Sequence, residues 1–121
     1  MNKPSHQIDQ IVRTLANSPN TVVVTGAGIS TEAGIPDFRG QNGIYRQLGE
    51  DRVMSIINIE TFNNNPRLFY DFYNQHFIFP TVEPSKAHYM LAEMEKNGFI
   101  KGIVTQNIDG LHEKAGSRRV V

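Results

Sequence analysis

The stretch TVVVTGAGIS, Thr21 to Ser30, constrains the fold more than any other part of this chain. Its three consecutive valines are β-branched and apolar on both faces of an extended run, the pattern of a strand buried inside a parallel sheet. Gly26 and Gly28 follow at once. They end the strand in a turn tight enough for backbone to approach another molecule closely. Because parallel neighbours need a long, usually helical crossover, the rest of the chain has to supply helices and further strands.

It supplies both. Ile8, Ile11, Val12 and Leu15 recur at the spacing of a one-faced helix that Ser18-Pro19 stops. A second helix opens at Asn65 as cap with Pro66 in its first turn, and Leu68, Phe69, Phe72, Tyr73 and His76 share one face. Ser85 caps a third, striped by Ala87, Met90, Leu91 and Met94 and ended by Asn97-Gly98. FIKGIVT then gives a second strand ending at Thr105, QNIDGLHEKAG a loop into a short helix closed by Gly116, and SRRVV the start of a third strand.

Strands separated by helices predict an α/β fold, a Rossmann-like parallel sheet with flanking helices. The piece between Gly26 and Gly102 far exceeds the roughly 30 residues of a plain strand-helix-strand unit, so it carries a helical insertion. The expected organisation is one partial nucleotide-binding domain over 1–121, with a cofactor-binding loop at about 34–51 and a small helical module at about 52–79. Val120 and Val121 end the chain where an apparent core strand begins, which predicts a truncated sheet with an open edge and a tendency to self-associate.

Twelve basic residues balance twelve acidic ones, leaving no global field to gather nucleic acid or anionic lipid. No apolar run approaches a membrane span, and the polar N-terminus is unlike a signal peptide, so a cytoplasmic protein is expected. With no cysteine, the chain holds no disulfide, thiolate zinc site or cysteine nucleophile. Its histidines lack zinc-ligand spacing as well.

In an open parallel sheet, ligands bind beyond the carboxyl ends of the strands, and here that edge gathers GAGIS and QNID. The N–H groups of a helix opening at Ile29 would face an anion, and Ser30 and Thr31 could donate hydroxyls to phosphate. The usual dinucleotide fingerprint is broken: Thr31 stands where a third glycine belongs, and no acidic ribose reader follows about twenty residues on. GIPDFRG mixes a stiff Pro36, the opposite charges of Asp37 and Arg39 and the aromatic face of Phe38. It reads either as a ligand loop or as a turn held by a local Asp-Arg pair. Asn107 and Asp109 either cap the next helix or face the cleft, where they could orient a carboxamide or a sugar hydroxyl. Among the histidines, His6 reads as solvated, His76 as part of an aromatic stripe and His88 as a structural hydrogen-bonding residue. His112 reads as a packing or capping residue, with a general base as the alternative.

GAGISTEAGIPDFRGQNGIY together with TQNIDGLHEKAG resembles the sirtuins, NAD-dependent protein-lysine deacylases, over the N-terminal half of such an enzyme and in its bacterial and archaeal deacetylase-like branch. The resemblance implies NAD as co-substrate and an acetylated-lysine protein or peptide as partner. It assigns Gly26, Ala27, Gly28, Ser30 and Thr31 to the phosphate and ribose site. Asp37, Phe38, Arg39 and Tyr45 belong to the loop side, with Phe38 and Arg39 covering the reacting sugar. Gln106, Asn107, Ile108 and Asp109 form the nicotinamide pocket, in which Asn107 and Asp109 are the catalytic pair, Asp109 holds the carboxamide and Ile108 packs on the ring. The implied transferase-type reaction has the acyl oxygen of the modified lysine attack C1′ of the nicotinamide ribose, releasing nicotinamide and giving O-acetyl-ADP-ribose.

The same resemblance puts the general-base histidine just past Val121, and zinc, expected in a full-length member, finds no ligands in this chain. The polypeptide is therefore expected to have little or no deacylase activity alone. A non-catalytic module binding NAD or ADP-ribose and an NAD glycohydrolase are the alternatives.

Overall fold

The structure, a computed structural model, describes residues 3–121. Helix α1 (Lys3–Ala16) leads to strand β1 (Val22–Thr25) and a single 3-10 turn at Ala27–Ser30. Four helices follow, α2 (Ile44–Leu48), α3 (Glu50–Ile56), α4 (Ile59–Asn64) and α5 (Pro66–Phe77). Then come α6 (Lys86–Lys96), β2 (Gly102–Thr105) and α7 (Leu111–Lys114). β1 and β2 run parallel in a register that places Val22 beside Gly102 and Thr25 beside Thr105. On the other side of β2, Val120 joins Ile103 by a parallel bridge, so β2 lies between two neighbours. Gly102 suits that position because a Cβ there would stand 2.9 Å from the Arg119 carbonyl oxygen.

Local signals account for the helix boundaries. The Asn65 side chain accepts from Leu68 N at 3.2 Å and Pro66 occupies the first turn of α5, as the sequence predicts. Ser85 caps α6 in a reciprocal box with His88, and Gly98 follows the helix at φ 80°. Asn58, which sequence pattern alone did not single out, caps α4 by accepting from Thr61 N at 2.8 Å. Ile44, Val53 and Phe72 form the core of the helical insertion, with Tyr45, Leu48 and Phe77 packed around them. Ile100, Ile103 and Leu111 are buried in the sheet region.

Three expectations change, and the stripe of α1 takes a definite place. The helix predicted to open at Ile29 is only the 3-10 turn, because Gly34 takes a left-handed φ of 100° and Pro36 follows, leaving no room to propagate. The stretch 34–51 is irregular only as far as Gly43, after which α2 and the start of α3 occupy it. β1 is one-sided rather than buried on both faces, since Val24 is 70% exposed while Val23 is half-buried. The α1 stripe also faces outward, with Ile8, Ile11 and Val12 exposed. Among the described residues no helix is long and apolar enough to cross a membrane.

Candidate functional site

The carboxyl ends of β1 and β2 meet at a polar corner. Gln106 N donates to the Thr25 carbonyl at 3.1 Å, turning the chain directly after β2. Asn107 Nδ2 donates to the Gly26 carbonyl at 3.0 Å and to Ser30 Oγ at 3.3 Å. Two acceptors on one nitrogen identify it as the amide nitrogen, which leaves Asn107 Oδ1 as the acceptor end. Ser30, 1% exposed, donates its only proton to Asp109 Oδ2 at 2.6 Å. Asp109 Oδ1 accepts from Leu111 N at 2.9 Å, so the carboxylate caps α7 while holding Ser30. Both sequence readings of Asp109, helix cap and cleft residue, thus describe one side chain.

A cavity of about 170 Å³ opens against this corner. Ala27 and Ser30 line it from the glycine turn, Phe38 from the GIPDFRG loop, and Gln106, Asn107, Ile108 and Asp109 from the corner. The three ligand-like stretches therefore converge on one cavity. Ile35 and Pro36 of the same GIPDFRG loop also line it, and sequence reasoning missed the remaining walls, Ile44, His76, Phe77 and Phe79. The alternation of Phe77, at the end of α5, and Phe79 just past it was the available signal for the last two.

The other candidate residues lie elsewhere. Gly26 contributes its carbonyl to Asn107, and Thr31 donates its hydroxyl to the Gly28 carbonyl at 2.9 Å. The protons of both Ser30 and Thr31 are thus engaged by protein acceptors, where the sequence reading offered them to phosphate. Asp37 and Arg39 do not pair. The Asp37 carboxylate closes its own turn by accepting from Gly40 N at 2.9 Å. Arg39 meets Glu50 at 3.1 Å and lies 4.9 Å from the Tyr45 ring centre, in an exposed ion pair of small energetic weight. Tyr45 packs against the insertion core rather than the cavity. Thr31 and Asp37 line a second, larger and more polar space of about 670 Å³ that shares walls such as Ile35, Pro36 and His76 with the first and is bounded also by Gln41, Gln47 and Gln75.

The Sir2 family pattern matches residues 26–121, the span that carries every one of these motifs. The chain belongs to the Sir2 family. It is 46% identical over 115 residues to the NAD-dependent protein deacylase 2 of Archaeoglobus fulgidus, covering 95% of this chain and 44% of that protein. It is likewise 46% identical over 115 residues to an NAD-dependent protein deacetylase of Saccharolobus solfataricus, covering 93% and 44%. Among solved structures, a Sir2 histidine-to-alanine variant with deacetylated p53 peptide and 3′-O-acetyl ADP-ribose superposes with a TM-score of 0.84 at 43% identity, over 94% of this chain and 45% of that one. A serine-to-alanine variant of a Sir2 homologue with ADP-ribose gives 0.83 at 37% identity, over 93% and 45%. This Sir2 chain has the family's Rossmann-type fold and spans about 44% of the length of these curated relatives.

Behind the corner of the Sir2 chain lie two buried histidines, with ring centres 4.9 Å apart. His88 Nδ1 accepts from Ser85 N at 3.1 Å, which places its proton on Nε2, 3.4 Å from Ser30 Oγ. His112 Nε2 stands 2.8 Å from Thr25 Oγ1. Burial lowers the pKa of both imidazoles; for His88 the neighbouring His112 lowers it further, while Asp109 opposes the shift in both. Above the ordinary value of 6.5 both rings are accordingly neutral. Among the described residues, no three His, Asp or Glu side chains gather as metal ligands would.

Proposed function

We propose that this chain holds the nicotinamide ribose end of NAD for NAD-dependent removal of acetyl groups from protein lysine. The observation that carries this is the closed set Ser30, Asn107 and Asp109 along one wall of the 170 Å³ cavity. Ligand pockets usually measure roughly 300–1,000 Å³, so this space suits one ring of a dinucleotide and not the whole. Ile35, Phe38 and Ile108 offer apolar faces to such a ring. Both Asn107 N–H groups are engaged, leaving Oδ1, and each Asp109 oxygen holds one protein donor with a lone pair to spare. Acceptors so fixed match the NH₂ of a carboxamide. Asn107 and Asp109 then orient the ring, and the apolar walls cover part of it from water, which suits cleavage of a glycosidic bond better than exposure for hydride transfer.

Gly28 supports the phosphate side. It has no left-handed φ, and a Cβ there would meet no protein atom within 4 Å, so neither backbone strain nor packing demands glycine. Room for a phosphate beside Ala27 and Gly28 does. Arg39, held by an exposed pair with Glu50 and by the face of Tyr45, can exchange the Glu50 partner for NAD and cover the reacting sugar beside Phe38.

The chain alone binds without turning over, because His88 and His112 are buried and neutral, and neither is open to a ribose hydroxyl. General-base catalysis is worth roughly 10²- to 10⁴-fold in rate. The acetylated-lysine partner, the cytoplasmic setting and self-association through the sheet edge at Val120 and Val121 belong to the same proposal. Calorimetry with nicotinamide, ADP-ribose and NAD tests binding. An acetyl-lysine peptide assay with NAD tests turnover, and a rate near that of a complete relative overturns the inactivity. Saturable binding with untouched peptide identifies a binding module, whereas free ADP-ribose released without an acyl acceptor identifies a glycohydrolase.

A further inference from the structure

We infer that His112 is a positioning residue that fixes the backbone amide of Asn107 through the hydroxyls of Thr25 and Thr105. The consequence for carboxamide binding rests on the nicotinamide reading; the hydrogen-bond relay itself does not.

The two parallel strands end on threonine side by side, Thr25 on β1 and Thr105 on β2. Their hydroxyl oxygens are 2.8 Å apart, and His112 Nε2 is 2.8 Å from that of Thr25. Thr105 Oγ1 also accepts from Asn107 N at 3.1 Å. The row therefore runs from a buried imidazole to the backbone of the residue that reaches into the corner.

Its direction follows from counting protons. A hydroxyl has one proton to give, and Thr25 can give it to Thr105 or to His112. His112 Nδ1 is buried without a hydrogen-bond partner. If Nε2 accepted from Thr25, the neutral ring would carry its proton on Nδ1 as a buried donor with no acceptor, a rarer arrangement than a bare lone pair. The satisfied arrangement has Nε2–H donating to Thr25, Thr25 donating to Thr105, and Thr105 accepting from Asn107 as well. Thr25 then grips the corner twice, through this hydroxyl and through its carbonyl, which takes Gln106 N. A residue serving only to fill space would need the ring's shape and not a donor at Nε2.

The first test uses the ligand-free chain. Nitrogen-15 correlation spectra of the histidine rings are expected to show His112 as the Nε2–H tautomer at neutral pH; the Nδ1–H tautomer or an imidazolium overturns the inference. The second compares paired variants. His112→Gln keeps an N–H at about the reach of Nε2, and His112→Asn withdraws it; Thr25→Ser keeps the hydroxyl, and Thr25→Val removes it at the same shape. Exchange of the Asn107 amide is expected to quicken roughly fivefold or more in His112→Asn and Thr25→Val and to stay within about twofold in His112→Gln and Thr25→Ser. Nicotinamide affinity should weaken in the same two variants. Equal exchange across all four overturns the relay, and if one variant fails to fold the other pair decides. A wild-type chain that binds no nicotinamide overturns the NAD reading alone, since tautomer and exchange are both read without ligand.

Discussion

Thr25 and Thr105, at the carboxyl ends of β1 and β2, are enclosed in a hydrogen-bonded network, whereas Val22, Val24 and Val104 on the same two strands face outward. The contrast separates two kinds of interaction. The polar corner closes with short segments, 25–30 and 105–112, plus Ser85 and His88 from α6. Each of its groups left unpaired would cost about 1–3 kcal/mol, so its geometry is held tightly. An apolar strand face is non-directional and gains only from area removed from water. Among the described residues little covers the outer valines, and the α1 stripe is open as well.

The largest effect sharpens this contrast within the sheet. Ile103, 1% exposed and in register with Val23, should lose about 2–5 kcal/mol on mutation to Ala, read by urea denaturation. Ile11→Ala on the open stripe should change stability by no more than about 0.5 kcal/mol. Similar losses at both positions would contradict the burial described here.

Next in size is the corner itself. Ser30→Ala removes one of the two acceptors of Asn107 Nδ2 and the proton donor of Asp109 Oδ2, and it withdraws the oxygen facing His88 Nε2. A loss of about 1–3 kcal/mol is expected, with weaker nicotinamide binding on calorimetry. A variant as stable as the parent that also binds equally would show that the network does not fix the site.

The sequence made the corner's contents legible because each signal was local. Gly26 to Ser30, Phe38 and Gln106 to Asp109 carry their chemistry in their own side chains, and the parallel topology alone sends them to one edge. Asn65 with Pro66 and Ser85 likewise announce the helices they start. What stayed hidden depends on contacts distant in sequence. Thr25 meets Thr105 eighty positions away and His112 eighty-seven away, and no spacing rule predicts such a pair. The matching final threonines of VVVT and GIVT were the available hint, once the register was known. The apolar run identified β1 as an element and overstated its burial, and the stripe that identified α1 lies open, because such patterns record a preference for cover rather than the presence of a partner.

Acidification probes the corner more gently. Both His88 and His112 have pKa values lowered from the ordinary 6.5, chiefly by burial, so the folded state favours their neutral forms. Their contribution to stability is fully present above 6.5 and is lost as pH falls from there through the lower folded values. Thermal unfolding should therefore move to lower temperature between about pH 7 and about pH 5, and a His88→Gln, His112→Gln double variant should show a flatter slope. Asp109 faces both rings and tempers the effect. Identical slopes in parent and variant would mean that neither ring is buried as neutral imidazole.

The smallest change in stability belongs to Val24, and it bears most directly on the open face. Val24 is 70% exposed and lies beside Val104, itself 45% exposed, so the two form a continuous apolar strip across the strands. In a single folded copy, Val24→Lys should shift stability by no more than about 0.5 kcal/mol, because the lysine ammonium remains in water and no packed neighbour is lost. If a second copy covers the strip, the same change places a charge against an apolar surface and opposes association. Sedimentation across a concentration series should then show association in the parent and its loss in Val24→Lys, with denaturation midpoints equal at high dilution. A midpoint that falls even at high dilution would place the cover within the chain, closing the face that distinguishes the strands from the corner at their ends.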